Sequence, residues 1–204
     1  MRLTEVGLRD EDLLLDLLNT TPVVQGRQRD VLAEQPHADV WLREHGATEA
    51  ELVELIAARN ALQAVVRGTD TAVALDPFVN AAVLRGRATE NGLNWEFDAD
   101  DARRGALRAI LAWDALRAEG AGRLRACANP DCRLFLIDRS KPNTARWCSM
   151  AACGNRTKAR RYHQRARTAK TDEQSLITPG DRPAAGRRHA DPRPATERRS
   201  RSRR

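Results

Sequence analysis

Residues 127–167 read CANPDCRLFLIDRSKPNTARWCSMAACGNRTKARRYHQRAR and contain all four cysteines of the chain. The cysteines form two pairs with equal gaps, Cys127-x4-Cys132 and Cys148-x4-Cys153, and fifteen residues separate the pairs. Zn²⁺ takes four ligands in a tetrahedron, and two tight turns that each offer two thiolates can complete such a site. The spacing therefore predicts one zinc ion bound by all four cysteines.

The alternative use of four cysteines is a pair of disulfides. The N-terminus shows neither the apolar core nor the cleavage site of a signal peptide, so we expect a cytoplasmic protein whose thiols stay reduced. A site closed by four thiolates leaves no position for a water molecule. The predicted zinc is therefore structural, and no catalytic residue is assigned to it.

Turn and strand signals follow one another through this stretch. The Asn-Pro-Asp run at 129–131 predicts a turn inside the first pair, and Ser149 predicts a helix cap inside the second. Residues 134–137 and 145–147 predict two short strands, and a basic helical pattern follows Cys153. A knuckle, a hairpin and a helix that carries the last ligands describe a treble-clef zinc finger.

Two parts of this finger resemble a known family. Residues 147–156 read WCSMAACGNR and residues 127–132 read CANPDC, and together they resemble the CGNR zinc-finger family of bacterial proteins. In that family the finger follows an N-terminal module called the ABATE domain, and the resemblance implies a stress-induced transcriptional regulator. Residues 15–20, LDLLNT, are similar to the opening of the ABATE domain.

The LDLLNT segment carries three polar side chains with two alternative roles. The resemblance to a sensing module implies a pocket for an unknown small-molecule effector. Asn and Thr before a proline, here Pro22, are equally the ordinary chemistry of a helix stop. The candidate ligand-binding residues are Asp16, Asn19 and Thr20.

Apolar periodicity predicts a mostly helical domain in residues 1–122. The longest helix begins at the capping box Thr48-x-x-Glu51 and ends at Gly68. Asn91-Gly92 predicts the two-residue turn of a β-hairpin, and we expect the alternating Leu93, Trp95 and Phe97 to close an apolar pocket against the long helix. The other predicted helices cover 8–18, 27–34 and 37–45, with one beginning at residue 76 and one between 98 and 120.

The predicted fold class is α+β, in three parts. Residues 1–122 form a mostly α-helical, ABATE-like ligand- or stress-sensing domain with a β-hairpin, ending at Gly120-Ala121-Gly122. Residues 123–170 form the small treble-clef four-cysteine zinc finger with its basic helix. Residues 171–204 are rich in Pro, Arg and Ser and have almost no apolar residues, which predicts a disordered basic tail.

Charge is distributed unevenly between the two halves of the chain. Residues 1–122 contain 13 Arg and 21 Asp+Glu, whereas residues 123–204 contain 22 Lys+Arg and 7 Asp+Glu. Such asymmetry predicts that only the second half meets a polyanion. Residues 1–122 show no catalytic triad, phosphate loop or carboxylate pair, and no apolar run is long enough for a membrane span, so neither an enzyme nor a membrane partner is expected.

The helix after Cys153 is predicted to be the nucleic-acid surface. Residues 123–170 contain 13 Lys+Arg against two Asp, and the helix has few apolar residues to bury. DNA is the expected partner. An RNA- or ribosome-binding module and a protein-interaction adaptor with a structural finger remain open, as does any homo-oligomeric state. The candidate nucleic-acid-binding residues are Asn155, Arg156, Lys158, Arg160, Arg161 and Arg165.

Overall fold

Six α-helices and three two-stranded antiparallel sheets make up the part of the chain that the computed structural model describes, residues 8–80, 82–120 and 122–176. This mixture of helices and small sheets confirms an α+β class. The helices are α1 Leu8–Leu18, α2 His37–Glu44, α3 Leu52–Arg67, α4 Asp76–Val79, α5 Arg104–Glu119 and α6 Asn155–Leu176. The strand pairs are β1 Val23–Val24 with β2 Arg27–Gln28, β3 Val83–Thr89 with β4 Gly92–Asp98, and β5 Leu124–Ala126 with β6 Phe135–Ile137.

The core lies between α1, α3 and α5. Leucines recur along α1 with helical spacing, so one face of this helix is apolar and fully covered. Each buried leucine side chain contributes roughly 1.5–3 kcal/mol. The buried residues of the three helices include Leu13, Leu14, Leu17 and Leu18 of α1, Leu55 and Leu62 of α3, and Ile110 and Leu116 of α5.

Glu51 connects the beginnings of two of these helices. The predicted capping box is confirmed: Thr48 N–H donates to Glu51 Oε1 at 2.9 Å, just before α3. The other carboxylate oxygen, Oε2, accepts a hydrogen bond from Gly105 N–H in the first turn of α5 at 2.7 Å. A Cβ at Gly105 would lie 2.8 Å from that oxygen, so a glycine is needed where the two helices meet.

The helix predicted over 27–34 is wrong. Gln25 and Gly26 take positive φ angles of 51° and 78°, which is the geometry of a tight two-residue hairpin turn. The chain therefore pairs β1 with β2, and only a single 3-10 turn, Val31–Ala33, follows. The predicted helices over 8–18 and 37–45 are confirmed as α1 and α2.

The β3–β4 hairpin exists, but its turn lies one residue earlier than predicted. Thr89 pairs with Gly92, so Glu90 and Asn91 form the turn, and Gly92 with φ of +116° begins β4. Leu93 is 69% exposed. The side chains of residues 94–97 lie outside the described part of the chain, so the pocket wall predicted from Trp95 and Phe97 lies there too.

The strand predicted over 134–137 is confirmed as β6, but its partner in the hairpin is not the predicted strand over 145–147. β6 pairs with β5, which precedes the first cysteine, and residues 145–147 form no strand. Phe135 of β6 is 1% exposed and belongs to the same core as α1, α3 and α5. The predicted boundary at residue 122 thus follows the end of α5, but the chain on both sides of it shares one core.

The described chain up to Arg161 forms one compact unit, and the described residues from Tyr162 to Leu176 belong to a second. α6 continues to Leu176, six residues into the segment predicted to be a disordered tail, because no proline or glycine interrupts residues 171–176. Residues 177–204 lie outside the described part. None of the helices in the described ranges is long and apolar enough to cross a bilayer.

Candidate metal centre and basic helix

The four cysteines meet at one point. Their sulfurs all lie within 4.8 Å of one another, and the Cys148 sulfur is 3.7 Å from those of Cys132 and Cys153. Four thiolates at 2.3 Å from a zinc ion would be separated by about 3.8 Å, the edge of the tetrahedron. Both Cys127 and Cys153 are buried. The arrangement fits one structural Zn²⁺, as the spacing predicted.

Asn129 shapes the first knuckle from within. Its Oδ1 accepts a hydrogen bond from Asp131 N–H at 3.3 Å, and its backbone carbonyl accepts one from Cys132 N–H at 2.9 Å. Its Nδ2 donates to the Cys153 sulfur at 3.5 Å. Asn129 is 1% exposed, so this buried amide joins the first cysteine pair to the second. Such outer groups orient the ligands of a metal.

Ser149 builds the second knuckle, as predicted from its cap chemistry. The Ser149 hydroxyl accepts from Ala152 N–H at 3.3 Å, and the Ser149 carbonyl accepts from Cys153 N–H at 2.9 Å. A single π-helical turn, Met150–Gly154, follows and leads into α6. Cys153 therefore sits in the turn immediately before the basic helix.

The Asp138 side chain binds the backbone of the segment that was predicted to form a second strand, residues 145–147. Its carboxylate accepts hydrogen bonds from Ser140 N–H at 2.9 Å and from Ala145 N–H at 2.6 Å. Hydrogen bonds from Ser140 and Ala145, with the charge of Arg125, hold the pKa of Asp138 below its ordinary value although burial opposes this. The Asp138 carboxylate and a backbone hydrogen bond from Ala128 N–H to the Arg146 carbonyl at 2.8 Å thereby fix the loop without a strand.

The thiols are arranged for a cation. Burial is the main cause that raises the pKa of Cys132 to about 11, and it raises the pKa of Cys148 further. For Cys153 burial acts in the same direction, but the hydrogen bond from Asn129 and those of the neighbouring thiols outweigh it and lower the pKa. Four thiolates can coexist at these separations when a divalent cation lies among them. Cys148 N–H also donates to the Cys127 sulfur at 3.5 Å.

The three candidate ligand-binding residues all have partners within the protein. Asn19 Oδ1 accepts from Phe135 N–H at 2.7 Å, and Asn19 Nδ2 donates to the Phe135 carbonyl at 3.3 Å. The buried Thr20 hydroxyl donates to the Leu17 carbonyl at 2.8 Å. Asp16 lies 3.1 Å from His45 Nε2. Their role in ligand binding stays a prediction.

Two cavities are relevant to an effector. A groove of about 500 Å³ contains Asp16, His45 and Arg108, but not Asn19 or Thr20. A second cavity, of about 190 Å³, lies beside the long helix α3, where the predicted apolar pocket was expected. In the described part of the chain, its opposite wall comes from α5 and β5. The apolar lining residues are Val65, Val66, Trp113, Leu116 and Leu124.

In the first turns of α6, one side contacts the rest of the finger and the other side is exposed to solvent. Thr157 is buried, and Arg160 forms an ion pair with Asp131 in the first knuckle at 2.9 Å. Arg160 is therefore partly occupied by the finger itself. The remaining candidates on α6 are exposed: Asn155, Arg156, Lys158, Arg161 and Arg165.

The pattern of cysteine spacing missed two residues that the site depends on. Asn129 stood inside a turn signal, and its position within the first cysteine pair was the available clue. Asp138 carried no comparable signal, because it lies between two predicted strands and outside both cysteine pairs. Both act through the backbone or a sulfur rather than as ligands.

Residues 123–166 match the family model for the CGNR zinc finger. This match covers less than a quarter of the chain, and it agrees with the residues that carried the resemblance in the sequence. No curated protein matches the chain. Together with the four sulfurs, the match supports a single structural zinc ion bound by the finger.

Proposed function

We propose that the protein is a zinc-dependent, DNA-binding regulator of transcription whose helix α6 contacts the phosphate backbone. One observation carries the proposal. Arg156, Lys158 and Arg161 are exposed in the first turns of α6, and none of them forms an ion pair with a carboxylate whose side chain is described. Clustered cations on a rigid module are the electrostatic footprint of a nucleic-acid-binding protein.

Three other basic residues of the finger have partners in the compact unit. Arg139 pairs with Glu11 at 3.1 Å, Arg125 lies 3.6 Å from Asp138, and Arg123 donates to the Asp138 carbonyl at 2.8 Å. These three side chains therefore form contacts within the folded protein. The exposed cations Arg156, Lys158 and Arg161 follow the second knuckle within six residues of α6 and supply a cluster of positive charge for an outside polyanion.

A responsive role for the helical part rests on the resemblance of residues 15–20 to the ABATE domain. The groove at Asp16, His45 and Arg108 offers a polar surface for a small effector. Stress response and regulation of transcription are parts of this proposal. They would require that effector binding change the affinity of the finger for DNA.

Salt-dependent binding to duplex DNA tests the proposal. We expect the triple variant Arg156→Gln, Lys158→Gln and Arg161→Gln to weaken binding in fluorescence anisotropy. The slope of log affinity against log salt should fall by about 1 for each lost phosphate contact. Zinc content should not change, because none of the three residues is a ligand.

A matched control removes the same charge from another part of the protein. The control residues are three arginines that are more than half exposed and that pair with nearby carboxylates: Arg85, Arg104 and Arg117. Their glutamine variant should retain the affinity and salt slope of the parent. If both triple variants lost the same DNA affinity, the loss would reflect only the net charge of the protein. That result would contradict a binding surface on α6. Stronger binding to RNA than to DNA by the parent would favour the RNA-binding alternative.

A further inference from the structure

The third turn of α6 presents an aromatic ring to solvent. Tyr162 is 72% exposed, and every residue from 161 to 168 is exposed as well. The stretch from 161 to 168 buries no apolar face, so packing does not explain a tyrosine on it. The ring of His163 stands edge-on at 5.8 Å and does not stack on Tyr162.

We propose that Tyr162 stacks on an unpaired nucleobase, so that the target of α6 includes single-stranded nucleic acid. This inference rests on the proposed function and specifies the form of its ligand. Aromatic side chains next to cations are the stacking platforms of single-strand-binding proteins, and they tolerate any sequence because every base has a π-face.

The cation that such a platform needs stands one turn away. Arg165 follows Tyr162 by three residues, a spacing that puts two side chains on neighbouring positions of a helix surface. It is exposed and forms no ion pair with a described carboxylate. A phosphate held by Arg165 would keep the adjoining base close to the Tyr162 ring.

Duplex DNA would not use this ring, because its bases are already stacked on one another inside the helix. Unpaired bases occur in single-stranded DNA and in single-stranded RNA, and the stacking chemistry is the same for both. The sugar distinguishes them, since only RNA offers a 2′-hydroxyl. Both sources are therefore included in the experiment.

The test uses the full-length zinc-loaded protein and Tyr162→Ala, with Tyr162→Phe as the conservative control. The probes are a short single-stranded DNA, the same length of single-stranded RNA, an abasic strand of equal charge, and a duplex. Tyr162→Ala should weaken binding to the single strands by about 5- to 150-fold, which corresponds to ~1–3 kcal/mol for one stacked base. Tyr162→Phe should bind as the parent does, and the abasic strand and the duplex should not distinguish the variants.

Two results would overturn the inference. One is unchanged affinity of Tyr162→Ala for single strands, and the other is an equal loss on the abasic strand. Loss of Tyr162 leaves the fold intact because the ring is exposed, and circular dichroism with zinc analysis checks this. If the α6 charge variant loses affinity and Tyr162→Ala does not, only the stacking fails. If the parent binds no nucleic acid, the proposed function fails with it.

Discussion

Replacing Asn19 by alanine tests how far the stability of the finger depends on the helical part of the chain. Asn19 holds both the N–H and the carbonyl of Phe135, at 2.7 and 3.3 Å, and Phe135 is 1% exposed. A hydrogen bond contributes ~1 kcal/mol net, and a buried donor left without a partner costs ~1–3 kcal/mol. We therefore expect Asn19→Ala to lower the free energy of unfolding by about 2–4 kcal/mol, from these same magnitudes.

Urea unfolding followed by tryptophan fluorescence measures this difference, with Asn80→Ala as the control. Asn80 is exposed and ends α4 through its backbone N–H, which the substitution leaves in place. A second readout is the rate at which a chelator removes zinc. Cys127 N–H donates to the Leu134 carbonyl at 2.8 Å, next to Phe135, so a loosened β6 should release the metal faster.

The reasoning is refuted if Asn19→Ala unfolds at the same urea concentration as the parent and releases zinc at the same rate. That result would leave Asn19 free for the alternative role in ligand binding. A loss equal to that of Asn80→Ala would refute it equally, because the side chain would then contribute nothing beyond an exposed amide.

Two further predictions concern buried polar contacts. Burial opposes ionisation of Asp30, but hydrogen bonds and charge from Arg59 hold its pKa below the ordinary value. The stability that this ion pair contributes should therefore be complete above the ordinary pKa of an aspartate. It should be lost as pH falls through the lower pKa of the folded state. Urea titrations of the parent and Asp30→Asn should then converge in acid, and a gap independent of pH would contradict this. Asn129→Ala removes the hydrogen bond to the Cys153 sulfur and should weaken zinc affinity by about 10- to 100-fold in chelator competition, whereas Asn155→Ala should not; equal affinities would exclude a role for Asn129.

The metal site could be predicted because its chemistry fixes both residue type and spacing. Cys127, Cys132, Cys148 and Cys153 converge as their two equal gaps required. The helix caps could be predicted equally well, since Ser149 and the Thr48–Glu51 capping box form hydrogen bonds with residues only a few positions away. In these cases one short stretch of sequence contains every group that takes part.

Partners distant in sequence could not be predicted in the same way. Residues 145–147 resembled a strand, yet Asp138 satisfies Ala145 N–H, and the strand next to β6 precedes the first cysteine. Asn19 reaches Phe135 across 116 positions, and no periodicity encodes such a contact. The helix expected over 27–34 failed because Gln25 accepts a positive φ angle beside Gly26, which a pattern of apolar residues does not reveal.

Metal content of the purified full-length protein tests the central claim most directly. Elemental analysis with native mass spectrometry should find one zinc per chain in the parent. Cys148→Ser should lose most of the metal and the folded finger with it, because binding free energy is folding free energy in such a site. A parent protein that contains no zinc and still has a folded finger would contradict the account.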